Sequence, residues 1–295
     1  QASPGFRKAA QYCEERLKGF GLEVELLSFP ADTKTAYWSF RMFQEWDAKE
    51  GTLHLVEPEK EKRKLADYRE VKNSLIQRSS PFSGTAEVVL LEDGEELAEY
   101  EGLQLTGKVV LTKGDIERVH DLAVSKRGAV GIIYDGMREV PPVRHRMDLA
   151  DGLQYTSFWW GGDEPRCFGF VLSPKEGDRL RTLLRKGERV RVKAEVESRL
   201  YDGQIEVLSA LIPGETDEEV LLIAHLCHPQ PSANDNASGC GAALEIARAL
   251  RRLISEGELE KPERSIRVLL VPEMTGTYAW LASNEAKIPK IVAGV

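Results

Sequence analysis

No stretch of this 295-residue chain approaches the roughly 20 consecutive apolar residues that a membrane-crossing helix needs, so no membrane partner is expected. Cysteine is scarce: Cys13, Cys167, Cys227 and Cys240 are scattered, with no CxxC pair. That excludes a disulfide scaffold and fits a reducing, cytoplasmic compartment. Positive charge is in deficit, 40 Lys and Arg against 48 Asp and Glu, for a net charge of −8. With no local basic cluster, a nucleic-acid partner is not expected. The densest charge run, Glu59 to Lys64, mixes signs and reads as a solvated face. Repeats and low-complexity tracts are lacking too. The chain also lacks a methionine start, opening at Gln1 in a helix-like segment and stopping at Val295 within a strand-like run. Both ends are therefore expected to be cuts in a longer protein.

What is present is globular: 42% hydrophobic and 30% charged residues, enough chain for two domains or for one domain with a large insertion. Ser3-Pro4 supplies a cap and first-turn proline, and Phe6, Ala10, Cys13, Leu17 and Phe20 recur at helical spacing up to Gly19 or Gly21. A strand from Glu23 to Phe29 follows. From Trp38 to Glu197 short β-like runs dominate, at 51–56, 86–91, 108–112, 131–134, 168–172 and 189–196, with two helices, 116–126 and 174–186. After Ser198 the pattern returns to α/β: strands at 205–212, 220–224 and 266–271, a long helix at 236–255, a helix near 277–284 and a strand from 291. The expected fold is α/β, a mixed, mostly parallel sheet flanked by helices. One domain is expected over 1–44 and 198–295, interrupted by a β-rich insert over 45–197.

Two apolar runs end in side chains capable of chemistry. Val220 to Ala224 leads into His225-Leu226-Cys227-His228-Pro229, and Ile266 to Pro272 leads into Glu273. Both read as buried parallel strands, and open α/β sheets place their sites at the carboxyl ends of such strands. A histidine after an apolar strand is more often a packing residue than a ligand. Here Asp235 follows ten residues later, after a loop whose Pro229, Pro231 and Ser232 force it to fold back over the strand end. Imidazole plus carboxylate is a common zinc pair. Asp235 also suits helix capping, but Asn234, Asp235 and Asn236 together exceed what one cap needs. Glu273 is either an exposed loop residue or a carboxylate facing a cleft, where it would serve as a base. Cys227 reads equally as buried packing or as a ligand, and His228 is a weaker metal candidate. Trp159 and Trp160, beside Gly161-Gly162, read either as buried packing or as the lining of an entrance.

Together, Ala224-His225, the run Asn234 to Gly239 and Glu273-Met274-Thr275-Gly276 resemble the co-catalytic zinc aminopeptidases. That family includes bacterial leucyl aminopeptidases and glutamate-carboxypeptidase relatives. The Ser3-Pro4-Gly5 helix and the Gly21-Leu22-Glu23-Val24 strand start are similar to its opening segment. Leu105 to Leu111 and Ala123 to Tyr134 resemble a protease-associated domain, an insert this family often carries. The resemblance implies that His225 ligates zinc, Asp235 bridges two ions and Glu273 is the general base. Two positions depart from it. Cys227 stands where the family has Asp, and Met274 where it has a second Glu ligand. A His-x-Cys-His-Pro run points to a variant subgroup, in which His228 substitutes for a missing ligand.

The resemblance implies a zinc-dependent exopeptidase, with one or two ions, acting on the N-terminal bond of a peptide or on a small amide. Further ligands would lie beyond Val295, so residues 1–295 alone are expected to be inactive. Two rivals remain: a peptidase-like binding protein with impaired metal coordination, and a hydrolase of a non-peptide amide. The insert is expected to shape access to the site or to mediate association into a homo-oligomer.

Overall fold

Ser3 accepts a hydrogen bond from the Phe6 amide, with Pro4 at the first helical position, and this starts the Pro4–Gly19 helix. A computed structural model describes residues 3–295. In it the chain divides into two units, one formed by the chain up to Glu45 with Tyr201–Val295, the other by Trp46–Leu200. Among the described residues no helix is long and apolar enough to cross a membrane.

The first unit is built on a five-stranded sheet ordered Glu23–Ala31, Gly203–Ile212, Ser265–Val271, Glu219–His225, Ile291–Gly294. The first two pairings are antiparallel, the last two parallel. The parallel character expected from the apolar runs is thus confined to one side of the sheet. The other side is antiparallel because the Gly203–Ile212 strand, where the chain re-enters the unit, pairs from Gly203 to Leu211 with the whole Glu23–Ala31 strand.

Helices cover the sheet because their apolar residues fall on one stripe. Phe6, Ala10, Cys13 and Leu17 are the buried residues of the first helix, and Cys240, Ala243 and Ala247 those of Gly239–Glu256. Leu17 sits with Leu208, Leu270 and Ala247 in one cluster, while Trp280 of the Thr275–Ala282 helix packs with Leu269 and Val271 on another. Burying one leucine-sized side chain contributes about 1.5–3 kcal/mol.

Two ionic groups are folded into this unit. Arg267 donates to both oxygens of Glu219 at 2.6 Å and to Ser209 at 2.8 Å, with its guanidinium 5.6 Å from the Trp280 ring centre. Arg7 pairs with Glu45 and, at 3.0 Å, with Glu206. Burial opposes the charge on Glu45, but bonds from Arg7, Tyr201 and the Gln204 amide outweigh it and hold its carboxyl below the usual range. Glu206 shares Arg7 but buries one oxygen without a partner among the described residues, and burial pushes its carboxyl up.

The second unit holds a seven-stranded sheet ordered Arg63–Asp67, Glu45–Glu57, Arg191–Tyr201, Phe82–Leu90, Val109–Thr112, Gly131–Tyr134, Phe168–Val171. Its last four strands pair in parallel. Part of the mixed-charge run therefore enters a strand, Arg63–Asp67, at the sheet edge. An edge strand tolerates charge on its free side, where Lys64 reaches Asp67 and Glu70. Trp160 is buried, stacking on Phe158 and donating to the Arg78 carbonyl, whereas Trp159 is exposed over the Arg78 guanidinium.

Candidate metal centre

Parallel pairing decides where the chemistry can gather. His225 is the last residue of its strand and lies opposite Val271, so Pro272 and Glu273 leave the sheet at the same edge. The loop after His228 folds back, and Asp235 Oδ1 comes to 3.0 Å from His225 Nε2. His225, Cys227 and Glu273 each offer a ligand atom, all three within 4.8 Å of one another. Asp235 thus meets His225, and His225 gathers with Cys227 and Glu273, but Asp235 is not a member of that three-residue group. His228 is not part of that group; its ring is exposed, with Nδ1 2.5 Å from the Gln230 carbonyl.

The local backbone explains how Asp235 is freed for this position. The helix expected from Asn236 begins instead at Gly239, because Asp235 and Asn236 have non-helical torsions. Ser232 accepts from the Asp235 amide at 3.3 Å, and Asn236 Oδ1 accepts from the Gly239 amide at 3.2 Å. Capping therefore falls to Ser232 and Asn236, leaving the Asp235 carboxylate to face His225. Gly239 must be small, since a Cβ there would lie 2.3 Å from Asn236 Oδ1.

Asn236 and Cys240 have site roles that the sequence did not assign. Asn236 Nδ2 donates to the His225 carbonyl at 3.2 Å, and the Cys240 thiol donates to the same oxygen at 3.3 Å. Burial pushes the Cys240 thiol up to about 12, so it stays protonated and remains a donor. The excess of capping residues over 234–236 was the one signal available.

The hydrogen bonds of His225 constrain its tautomer. Nδ1 lies 3.1 Å from the Cys227 carbonyl oxygen, which can only accept, so Nδ1 carries the proton. The Nε2 lone pair of a neutral ring then points at the Asp235 carboxylate. Two acceptors 3.0 Å apart repel unless a proton or a metal cation lies between them. Zinc ligands at about 2.1 Å in tetrahedral array sit ~3.4 Å apart, a few tenths of an ångström wider than this pair. A backbone carbonyl holding the far nitrogen is the usual support of a metal-binding histidine. The donor set therefore fits zinc. Its borders also differ in exposure: Cys227 is 9% exposed, while the Asp235 side chain is 61% exposed. Met274 is 65% exposed and opens the Thr275–Ala282 helix.

This sheet and its covering helices form a mixed α/β fold like that of the zinc aminopeptidase and M28 peptidase structures that the chain matches. The chain matches a peptidase M28 precursor from Shewanella amazonensis SB2B with a TM-score of 0.71 and 17% identity, covering 100% of this chain and 65% of that one. It matches BSAP, a zinc aminopeptidase from Bacillus subtilis, with a TM-score of 0.65 and 15% identity over 99% of this chain and 62% of that one. At such identities the likeness establishes the fold alone. The chain belongs to the family described as a domain of unknown function, DUF4910, whose model matches residues 2–295. A Clostridium acetobutylicum protein named a putative polysaccharide biosynthesis protein with aminopeptidase-like domain is 38% identical over 100 residues, 34% of this chain and 21% of that protein. The chain thus spans about a fifth of that curated relative and a little under two-thirds of the two solved structures.

Proposed function

We propose that this protein is a zinc-dependent exopeptidase cleaving the N-terminal bond of peptides. The observation that carries the reading is the 3.0 Å approach of His225 Nε2 to Asp235 Oδ1, with Glu273 in the same group as His225 and Cys227. His225 and Asp235 are the ligands. Zinc, when bound, supplies Lewis acidity and lowers the pKa of a coordinated water toward ~7. Glu273 is the general base, taking a proton from the attacking water and returning it to the leaving amine. His225 Nδ1–H donates to the Cys227 carbonyl, which leaves Nε2 as the nitrogen available to a metal. His228 is a reserve donor, since its exposed ring lies three residues from His225. The Trp46–Leu200 unit is proposed as a protease-associated-like insert, on the strength of the Leu105–Leu111 and Ala123–Tyr134 sequences.

The test is metal analysis of the full-length protein, with hydrolysis of peptides carrying free or blocked amino termini. Glu273→Gln is expected to keep its zinc and lose at least ~100-fold in turnover. Undiminished hydrolysis would exclude the base role, and zinc retained by Asp235→Ala would exclude that ligand. A second reading, hydrolysis of a non-peptide amide on a sugar-derived substrate, is favoured by the name of the Clostridium acetobutylicum relative. Turnover of such amides without turnover of peptides would select it.

A further inference from the structure

Cys227 touches both halves of the candidate centre. Its carbonyl oxygen holds His225 Nδ1 at 3.1 Å, and its sulfur accepts the Glu273 amide at 3.1 Å. The sheet ladder stops short of that second contact: its last rungs are His225 opposite Val271 and the Leu226 amide on the Val271 carbonyl at 2.8 Å. Beyond it, the Cys227 sulfur ties the chain after one strand to the chain after the other. The side chain is fixed in turn, packed with Phe6 and Ala10 of the first helix. Sulfur lies 3.9 Å from Nδ1, the nitrogen directed to the Cys227 carbonyl and not the one facing Asp235.

We infer that Cys227 is a positioning residue that couples the zinc-holding histidine to the general base, its thiol setting where the Glu273 carboxylate stands. The inference rests on the metallopeptidase reading. It gives a chemical role to one of the two departures from the aminopeptidase pattern. Alanine at 227 leaves the Glu273 N–H without its acceptor; serine offers an oxygen in place of sulfur.

The experiment compares wild type, Cys227→Ala and Cys227→Ser in the full-length, zinc-loaded protein. Cys227→Ala is expected to raise amide exchange over 273–276 about fivefold, the equivalent of one lost hydrogen bond. It should lower kcat about tenfold or more through misplacement of the base, with KM and zinc affinity within about twofold of wild type. Cys227→Ser should recover most of both losses. Unchanged exchange in Cys227→Ala would overturn the inference, whatever the activity. So would a fall in zinc affinity together with a sulfur-to-metal charge-transfer band in the cobalt(II)-substituted wild type, which would make Cys227 a ligand. Failure of the wild type to cleave any peptide overturns the peptidase reading instead and leaves the exchange result to decide the contact.

Discussion

Replacing Asn236 with Ala separates the cap from the clamp at the site edge. The wild-type side chain makes two contacts in opposite directions: its oxygen takes the Gly239 amide at 3.2 Å and its nitrogen gives to the His225 carbonyl at 3.2 Å. Loss of a helix cap costs about 1 kcal/mol, within a range of roughly 0.5–2 kcal/mol. The second bond is worth about 1 kcal/mol. The His225 carbonyl keeps the Cys240 thiol as a donor, so the larger penalty of a stranded acceptor does not arise. The expected total is about 1.5–2 kcal/mol, read as a lower urea midpoint at unchanged slope in far-UV circular dichroism. Asn236→Asp divides the two terms, keeping the acceptor for Gly239 and turning the donor into a carboxylate that faces a carbonyl. It should be less stable than wild type, and zinc binding should weaken as the His225 end of the strand loosens. An Asn236→Ala loss below about 0.5 kcal/mol, or an Asn236→Asp variant as stable as wild type, would refute this account.

Three further outcomes follow from the same unit. Glu219→Gln leaves the buried Arg267 cation uncompensated and should cost about 3–5 kcal/mol by urea unfolding, whereas joint replacement of the pair by Leu and Met should be close to neutral. The hydrogen bond from Arg267 holds the Glu219 carboxyl below the usual range. Its stabilising contribution is therefore complete above the unfolded value of ~4.3 and is lost as pH falls through that value toward the folded one, which unfolding curves of wild type and Glu219→Gln measured between pH 3 and 7 should show. Gly276→Ala places a Cβ 2.5 Å from Pro272 Cδ and 3.0 Å from Val271 Cβ, so it should lose about 1–3 kcal/mol and disturb Glu273. Its melting temperature and turnover, compared with those of Gly241→Ala, where a Cβ meets nothing within 4 Å, provide the check.

How far the sequence reveals this site depends on whether each position is set by local pattern or by a long-range contact. The apolar runs ending at His225 and Glu273 are legible because central strands covered by helices are mainly apolar, with Arg267 and Glu219 paired to each other, and their parallel pairing follows from the helix between them. The first helix is legible from its cap and its stripe of four buried residues. The start of the Gly239–Glu256 helix was not, because Asn236 caps from outside the helix while also reaching back to His225. The Arg63–Asp67 strand was hidden by charges that an edge position permits. Cys227 was undecidable from spacing, since its role depends on which nitrogen of His225 faces it and on an amide 46 residues away.

The substitutions at 227 and 274 also bear on how many ions the centre can hold. Beside an imidazole and a thiol, His225, Asp235, Cys227 and Glu273 supply two carboxylates. Two negative charges balance one divalent cation. A second would carry two uncompensated positive charges into a site backed by buried Cys227, where poor solvation makes unpaired charge expensive. A second ion would need the carboxylates that the aminopeptidase pattern places at these two positions. Thiol and thioether replace them here, the thiol turned to the Glu273 amide and the thioether turned to solvent. On the proposed metallopeptidase reading, the donors within residues 3–295 would serve one ion, with Asp235 as its ligand, and a bridging role for Asp235 would require carboxylates from outside them.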